Sequence, residues 1–96
     1  MLTGKQRSKL KSMANRLHSS LQIGKLGISD AVIADLDAQL ENRELVKINV
    51  LNNSPVEAKE IVDEILERTG AEFVQQLGNK LVIYRESEEN KTIELD

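Results

Sequence analysis

The segment Gly24-Lys25-Leu26-Gly27 holds the residues of this chain that are best suited to binding chemistry. It lies between a predicted short strand and a helix whose predicted N-cap is Ser29. Glycines let a backbone turn steeply and approach a ligand closely, and a helix N-terminus offers unpaired N–H groups to an anion. Together with the charge of Lys25, this pattern indicates a phosphate-binding loop, because one class of RNA modules holds the nucleic-acid backbone with a Gly-x-x-Gly loop. The alternative is a strand-to-helix turn that needs its glycines for steric reasons only.

The charge is distributed unevenly along the chain, although its net value is only −3. Residues 1–29 contain six cations and no acid, whereas residues 30–96 contain 16 acids against 7 bases. The cations of the first segment are Lys5, Arg7, Lys9, Lys11, Arg16 and Lys25. Such asymmetry is typical of a protein with one face made for a polyanion. A basic helix that is merely solvated is the alternative.

Catalysis and metal binding have few candidate residues in this composition. The chain has no cysteine and one histidine, so a catalytic triad or a histidine-based metal cluster would depend on His18 alone. His18 is expected to face solvent, and acids such as Glu60 and Glu64 have the i,i+4 spacing of a solvated helix face. The glycine spacings of nucleotide-binding loops are absent. We therefore expect no enzymatic activity, no cofactor, no metal and no small-molecule substrate.

Length and composition predict one globular domain, since the chain has 96 residues, 40% of them hydrophobic and 30% charged. No apolar run approaches the ~20 residues that span a bilayer, so no membrane partner is expected. The lack of cysteine is compatible with the cytoplasm, where we expect the protein to be located. The two aromatic residues, Phe73 and Tyr84, are expected to pack in or beside the core. Recognition of the partner would then depend on phosphates and shape, with little base readout.

The first predicted helix begins with a capping box formed by Thr3 and Gln6. Its apolar stripe recurs at helical spacing and comprises Leu10, Met13 or Ala14, and Leu17, with Leu21 as a candidate extension. The side of the helix away from the stripe carries Lys5, Lys9 and Arg16. A second polar strip, along the flank of the stripe, carries Arg7, Lys11 and His18. This helix is predicted to pack by one edge and to present cations over much of the rest.

The remaining pattern predicts two more helices and four strands. The predicted strands are residues 21–23, 45–51, 73–77 and 80–85, and the second helix runs from the Ser29 cap to about Arg43. The third helix is predicted to be capped by Ser54, with Pro55 at its first position and Glu57 closing a capping box, and to end at Gly70. The last two strands are joined by a tight turn at Gly78-Asn79.

The fold class is therefore α/β (α+β), a small four-stranded mixed sheet with three helices in the order α-β-α-β-α-β-β. The predicted domain spans residues 1–86, and residues 87–96 are predicted to be a frayed acidic C-terminal tail in which Ile93 and Leu95 could form a short edge strand. Lys80 and Arg85 flank the last strand. For Arg85, a local salt bridge is favoured over a share in the basic surface.

Four ordered motifs resemble the CRM domain in its stand-alone bacterial form, the YhbY family. They are Leu2-Thr3-Gly4-Lys5-Gln6-Arg7, Leu21-Gln22-Ile23-Gly24-Lys25-Leu26-Gly27-Ile28, Arg43-Glu44-Leu45-Val46-Lys47, and Gln76-Leu77-Gly78 leading to Leu81-Val82-Ile83-Tyr84-Arg85. Two departures reduce local positive charge. His18-Ser19-Ser20 stands where the family often has proline and a basic residue, and Asn79 separates Gly78 from Lys80.

The resemblance implies a fold similar to the C-terminal domain of translation initiation factor 3, and RNA binding through the Gly-x-x-Gly loop and the basic first helix. It also implies association with precursors of the large ribosomal subunit, so the expected function is non-catalytic binding of ribosomal RNA during ribosome assembly, with a monomer favoured. The predicted RNA-binding residues are Lys5, Arg7, Lys9, Lys11, Arg16, Gly24, Lys25, Leu26, Gly27 and Lys80. The alternative is a protein-interaction adaptor whose acidic helices dock a basic ribosomal protein or assembly factor. A further hypothesis is that the acidic tail competes with RNA for the basic helix.

Overall fold

Three helices and four strands form in the predicted order in the computed structural model, which describes residues 2–95. The elements are α1 (Gly4–Ala14), β1 (Leu21–Ile23), α2 (Asp30–Arg43), β2 (Leu45–Val50), α3 (Ala58–Thr69), β3 (Glu72–Leu77) and β4 (Lys80–Tyr84). The predicted fold class is confirmed. No helix within residues 2–95 combines the length and apolar character needed to cross a membrane.

The four strands form one mixed sheet in the order β1-β2-β4-β3. Strand β1 runs parallel to β2, as expected for two strands joined through a helix, while β2–β4 and β3–β4 pair antiparallel. The β3–β4 hairpin closes at Gly78-Asn79 as predicted, and Gly78 has the positive φ of 59° that such a turn requires. Strands β1 and β3 therefore lie at the two edges.

Each face of the sheet has its own hydrophobic core, because alternate residues of a strand point to opposite faces. Helices α2 and α3 cover one face. The buried residues of that first cluster include Leu21, Ile23, Ile33, Leu36, Leu40, Val46, Ile48, Ile61, Ile65, Leu81 and Ile83. Helix α1 covers part of the other face. The second cluster comprises Leu2, Leu10, Ala14, Leu45, Val74, Val82, Tyr84 and Ile93.

Helix α1 has the predicted capping box, in which Thr3 Oγ1 accepts from Gln6 N and Gln6 Oε1 accepts from Thr3 N. The predicted extension of its apolar stripe is wrong, because the helix ends at Ala14. Leu17 is 40% exposed, and Leu21 belongs to β1. The Lys47 ammonium donates to the carbonyls of Ala14 and Leu17, which supplies hydrogen bonds that a longer helix would have made itself.

The predicted start of α3 is also wrong. Its N-cap is Glu57, whose N–H donates to Glu60 Oε1 at 2.8 Å, and the helix begins at Ala58. The Ser54 hydroxyl instead bonds both backbone groups of Val56, so Ser54, Pro55 and Val56 form a local turn ahead of the helix. The end at Gly70 is as predicted, with a left-handed φ of 70°.

The C-terminal segment, residues 87–95, is packed and not frayed. Ile93 is buried in the second cluster and Leu95 packs against that cluster, although no strand forms there. The carboxylate of Glu44 is fully buried and accepts hydrogen bonds from the backbone N–H groups of Ser87, Thr92 and Ile93 at 2.7–2.8 Å. These bonds attach the segment to the junction of α2 and β2. Asp96, the last residue of the predicted tail, lies outside the described residues.

Candidate functional site

The Gly24–Gly27 loop is a tight turn that follows β1 directly. Gly27 N–H donates to Gly24 O at 2.9 Å, so Lys25 and Leu26 occupy the two central positions of the turn. Both side chains are exposed, and Leu26 is 84% accessible. The turn therefore presents one cation and one apolar side chain to a ligand at the end of the sheet.

The two glycines of this loop have different roles. Gly27 is buried with a φ of 64°, and a Cβ there would lie 3.2 Å from Pro55 Cγ, so the turn itself requires glycine. A Cβ at Gly24 would meet the side chains of Asn53 at 3.3 Å and Leu51 at 3.4 Å. The steric alternative therefore accounts for Gly27, whereas Gly24 keeps a close approach between the loop and residues 51–53.

The N-terminus of α2 behind the loop is already capped. Ser29 Oγ accepts from Val32 N–H at 3.2 Å, as predicted, and Asp30 stands in the first turn. Asp30 pairs with the Arg68 guanidinium at 2.7 Å, and this hydrogen bond is the main cause of the raised pKa of Arg68. Because a serine and an acid occupy this helix end, Lys25 is the main electrostatic attraction that the loop offers to a phosphate.

The cations predicted for the first helix fall into two groups. The side chains of Lys5, Lys11 and Arg16 are exposed and make no hydrogen bond or ion pair to another described residue, although Arg16 lies in the turn after α1 and not on the helix. Arg7 is half-buried with its Nε donating to Phe73 O at 3.4 Å, and the Lys9 ammonium donates to Glu94 O. The first group is free to meet a ligand, while the second also fastens α1 to its surroundings.

Lys80 and Arg85, at opposite ends of β4, have different environments. Lys80 shares a shallow hollow of about 80 Å³ with Ala14 and Asn15, which brings it beside the C-terminal end of α1. Arg85 donates to Asp37 Oδ1 at 2.8 Å and to Thr69 O at 2.6 Å. The local salt bridge predicted for Arg85 is therefore confirmed. Lys80 adjoins the predicted basic surface.

The aromatic residues and the histidine lie where the sequence predicts them. Tyr84 is buried in the second cluster, and burial is the main cause of its raised pKa, followed by the charges of Glu44 and Glu86. Phe73 is half-buried against the first cluster, and His18 is exposed. Within residues 2–95, no group of three or more histidine, cysteine or acidic side chains is placed to hold a metal ion.

Sequence reasoning missed two features around this site. The loop of residues 51–55 contacts both glycines of the turn, and nothing in its composition distinguished it from an ordinary connection. Glu44 was also missed, since an acid between a helix and a strand is expected to face solvent. Burial raises the pKa of Glu44, but the N–H donors of Ser87, Ile93 and Thr92 outweigh burial and hold that pKa below its ordinary value.

Comparison with known proteins gives a consistent result over the whole chain. The model of the CRS1/YhbY (CRM) domain matches residues 2–85. The "Probable RNA-binding protein YqeI" of Bacillus subtilis is 41% identical over 95 residues, 99% of each chain. An "RNA-binding protein" of Haemophilus influenzae is 34% identical over 94% of this chain and 91% of its own. The solution structure of SAV1595 from Staphylococcus aureus, a hypothetical protein described as a candidate RNA-binding protein, has a TM-score of 0.81 at 49% identity and full coverage of both chains.

Proposed function

Because the chain belongs to the CRS1/YhbY (CRM) domain family, whose model matches residues 2–85, we propose that it binds RNA and catalyses no reaction. The relatives of similar length are named RNA-binding proteins, which supports this proposal. The ligand would be held by its phosphates at two places, the Gly24–Gly27 turn and the exposed cations Lys5, Lys11 and Arg16 of the N-terminal segment.

The observation that carries the proposal is the exposed Lys25 turn at the end of a segment with six cations and no acid. Polyanion binding through phosphates needs cations that are not already neutralised by acids of the same chain. The Asp30 carboxylate near the loop is paired with Arg68, so it opposes a phosphate there less than a free acid would. This half of the molecule therefore suits a phosphate backbone.

The RNA that we propose is ribosomal RNA of large-subunit precursors, bound during ribosome assembly in the cytoplasm by a monomer. The resemblance of the four ordered motifs to the stand-alone bacterial family supports this choice. In-cell crosslinking with mapped nucleotide positions tests it. Crosslinks concentrated in large-subunit precursor RNA are expected, and crosslinks spread over messenger RNA would contradict the proposed target.

RNA binding itself is tested by measuring the affinity for a large-subunit RNA fragment over a range of salt concentrations. Several neutralised phosphates make log K fall linearly with log salt, at about 0.7–0.9 per phosphate. We expect a steep slope that reflects several cations. An affinity that does not change between low and physiological salt would contradict binding through phosphates.

The exposed acids of α3 favour a second function, that of an adaptor for a basic protein. They are Glu60, Asp63, Glu64 and Glu67, together with the N-cap residue Glu57, and all are exposed. A basic ribosomal protein or assembly factor would find charge complementarity there. Capture of such a partner that persists after nuclease treatment would support the adaptor, whereas loss of all partners with the RNA would favour RNA binding alone.

A further inference from the structure

The sheet face that carries α1 is only partly covered, and its open end has a row of four side chains. Cross-strand register places Gln22 of β1, Asn49 of β2, Lys80 of β4 and Leu77 of β3 side by side. Cross-strand partners point to the same face of a sheet. At the other end of that face, Leu45 and Tyr84 are buried in the second cluster with Leu10 of α1. The row therefore lies beyond the end of α1.

The row adjoins the Gly24–Gly27 turn. Gln22 is exposed and precedes Ile23, the last residue of β1, after which the turn begins. Beside the row is the shallow hollow shared by Ala14, Asn15 and Lys80, to which Lys47 also contributes. A strand of RNA leaving the turn can thus continue across the open face without crossing α1.

The row combines hydrogen-bonding groups with an apolar surface. Asn49 Oδ1 is buried and has no hydrogen-bond partner among the described residues, and an unmet acceptor favours a ligand that supplies a donor. Gln22 adds a second amide. Leu77 is 70% exposed and adds an apolar side chain beside its cross-strand partner Lys80.

We propose that this row binds unpaired bases of the RNA whose backbone is held by the Gly24–Gly27 turn, an inference that rests on the proposed function. Amide side chains match the donors and acceptors of base edges. In a paired A-form helix the Watson–Crick edges are engaged in pairing and the deep major groove excludes side chains, so unpaired bases offer these edges best. Three inter-strand spacings make the row ~14 Å long. A four-stranded sheet holds about two or three unpaired bases in other RNA modules. The scarcity of aromatic residues led us to expect little recognition of bases. In this proposal the amides of Gln22 and Asn49 supply that recognition.

Charge favours RNA over a protein or a second copy of the chain on this face. The row and the adjoining hollow contain Lys47 and Lys80 and no acid. Two copies meeting here would bring four lysines together, which opposes self-association. An RNA strand neutralises the same lysines.

The test compares the affinity of the full chain for an unstructured single-stranded RNA and for a blunt duplex of equal length at one salt concentration. Wild type is expected to prefer the single strand. In the double variant Gln22→Ala with Asn49→Ala, the affinity for the single strand is expected to fall about tenfold, while duplex affinity and salt slope stay unchanged. Leu77→Ser, at an exposed position, is expected to act in the same direction and serves as a second variant if loss of Asn49 disturbs the fold.

The matched control is Asn42→Ala, which removes an exposed amide from α2 and should change neither affinity. Single-strand affinity that is unchanged in both the double variant and Leu77→Ser would overturn the base-binding row, although binding through the turn would stand. A wild type that binds neither RNA would overturn the proposed function as well. Concentration-dependent dimers that Leu77→Ser abolishes would show a second copy on this face and would also overturn the inference.

Discussion

At the scale of single residues, the four residues of the Gly24–Gly27 turn have different roles, some suited to ligand binding and others required by the fold. Lys25 and Leu26 face solvent, and Gly27 has the backbone conformation that only glycine adopts without strain. Gly24 has ordinary backbone geometry but close neighbours. The sequence motif could not distinguish these roles, because the difference depends on Pro55 and Asn53, which lie far from the turn in sequence.

Replacing Lys25 by glutamine is expected to weaken binding about equally for RNAs of different sequence, because a phosphate contact carries no base information. The slope of log K against log salt should flatten by ~1. Fluorescence anisotropy with two unrelated RNA fragments measures both quantities. Lys59→Gln is the matched control, since Lys59 is exposed on α3 beside Glu57. A slope equal to that of wild type would show that Lys25 touches no phosphate.

Substitutions at the two glycines are expected to separate binding from stability. Gly24→Asp places a negative charge beside the proposed phosphate site, where only side chains are near, so the fold should survive while RNA binding is lost. Gly27→Ala forces a residue with a Cβ into a positive φ and should lower the free energy of unfolding by about 1–2 kcal/mol. Denaturant unfolding and RNA titration on both variants check the pair. If the Gly24→Asp variant bound RNA as tightly as wild type, the loop would be only a structural turn and not a binding site.

At the scale of elements, the C-terminal segment holds α1 in place. Ile93 packs in the same cluster as Leu10, and the Lys9 ammonium donates to Glu94 O. Most element positions were predictable, because caps, turn glycines and apolar spacing are local signals. Three features were not predictable, because each depends on a side-chain hydrogen bond that leaves no periodic pattern in the sequence. Lys47 bonds the carbonyl at the early end of α1, Ser54 bonds Val56 in the turn before α3, and Glu44 holds residues 87–95.

Truncation after Arg85 is expected to destabilise the protein by about 2–3 kcal/mol, because burial of Ile93 is lost together with the hydrogen bonds to Glu44. Chemical denaturation of the full and truncated chains measures the difference. RNA affinity should not rise. A clear gain in affinity would instead favour competition between the acidic segment and RNA for the basic helix.

Acid is expected to release this segment from the body of the protein. The pKa of Glu44 is held below its ordinary value of 4.5 by N–H donors that outweigh burial, and hydrogen bonds from Ser87, Glu88 and Glu89 also lower the pKa of Glu41. A lowered carboxyl pKa contributes stability above the ordinary value, and that contribution is lost as the pH falls through the folded value. Unfolding free energy measured from neutral pH downward should fall accordingly.

Glu44→Gln is the variant that isolates this effect, since it keeps the shape of the side chain and removes its charge. It should cost about 1.5–3 kcal/mol at neutral pH, because the charge is lost and the amide NH2 that replaces one carboxylate oxygen cannot accept from the backbone N–H that this oxygen bonds. Its stability should also change less with pH than that of wild type. A variant with the same acid dependence as wild type would assign the effect to other carboxylates.

At the scale of the whole molecule, the cations of α1 and the exposed acids of α3 lie on opposite faces of the sheet. The proposed RNA-binding side consists of the turn, α1 and the open end of the sheet, while the acids of α3 cover the helices on the opposite face. A net charge of −3 conceals this arrangement. The basic segment was readable from the sequence because no acid interrupts the cations of residues 1–29. The row of Gln22, Asn49, Lys80 and Leu77 was not, since four separate strands bring it together.

Neutralising acids of α3 is expected to leave specific RNA affinity nearly unchanged. In Glu60→Gln with Glu64→Gln the affinity at physiological salt should stay within about twofold, because charges beyond the ~8 Å screening length contribute little there. RNA titration at low and at physiological salt measures the change. A large gain at physiological salt would place α3 close to the bound RNA and would contradict the proposed side.

The placement of α1 over the second cluster has a consequence for the order in which a newly synthesised chain becomes functional. Translation produces α1 before the rest of its cluster, since the residues that bury Leu10 are Leu45, Val74, Val82, Tyr84 and Ile93, all of which follow it in sequence. Domains fold as units once their contacts are available during synthesis. The cations of the first helix therefore take their final positions only after Ile93 has been synthesised, so a nascent chain that stops short of Ile93 lacks the assembled binding surface.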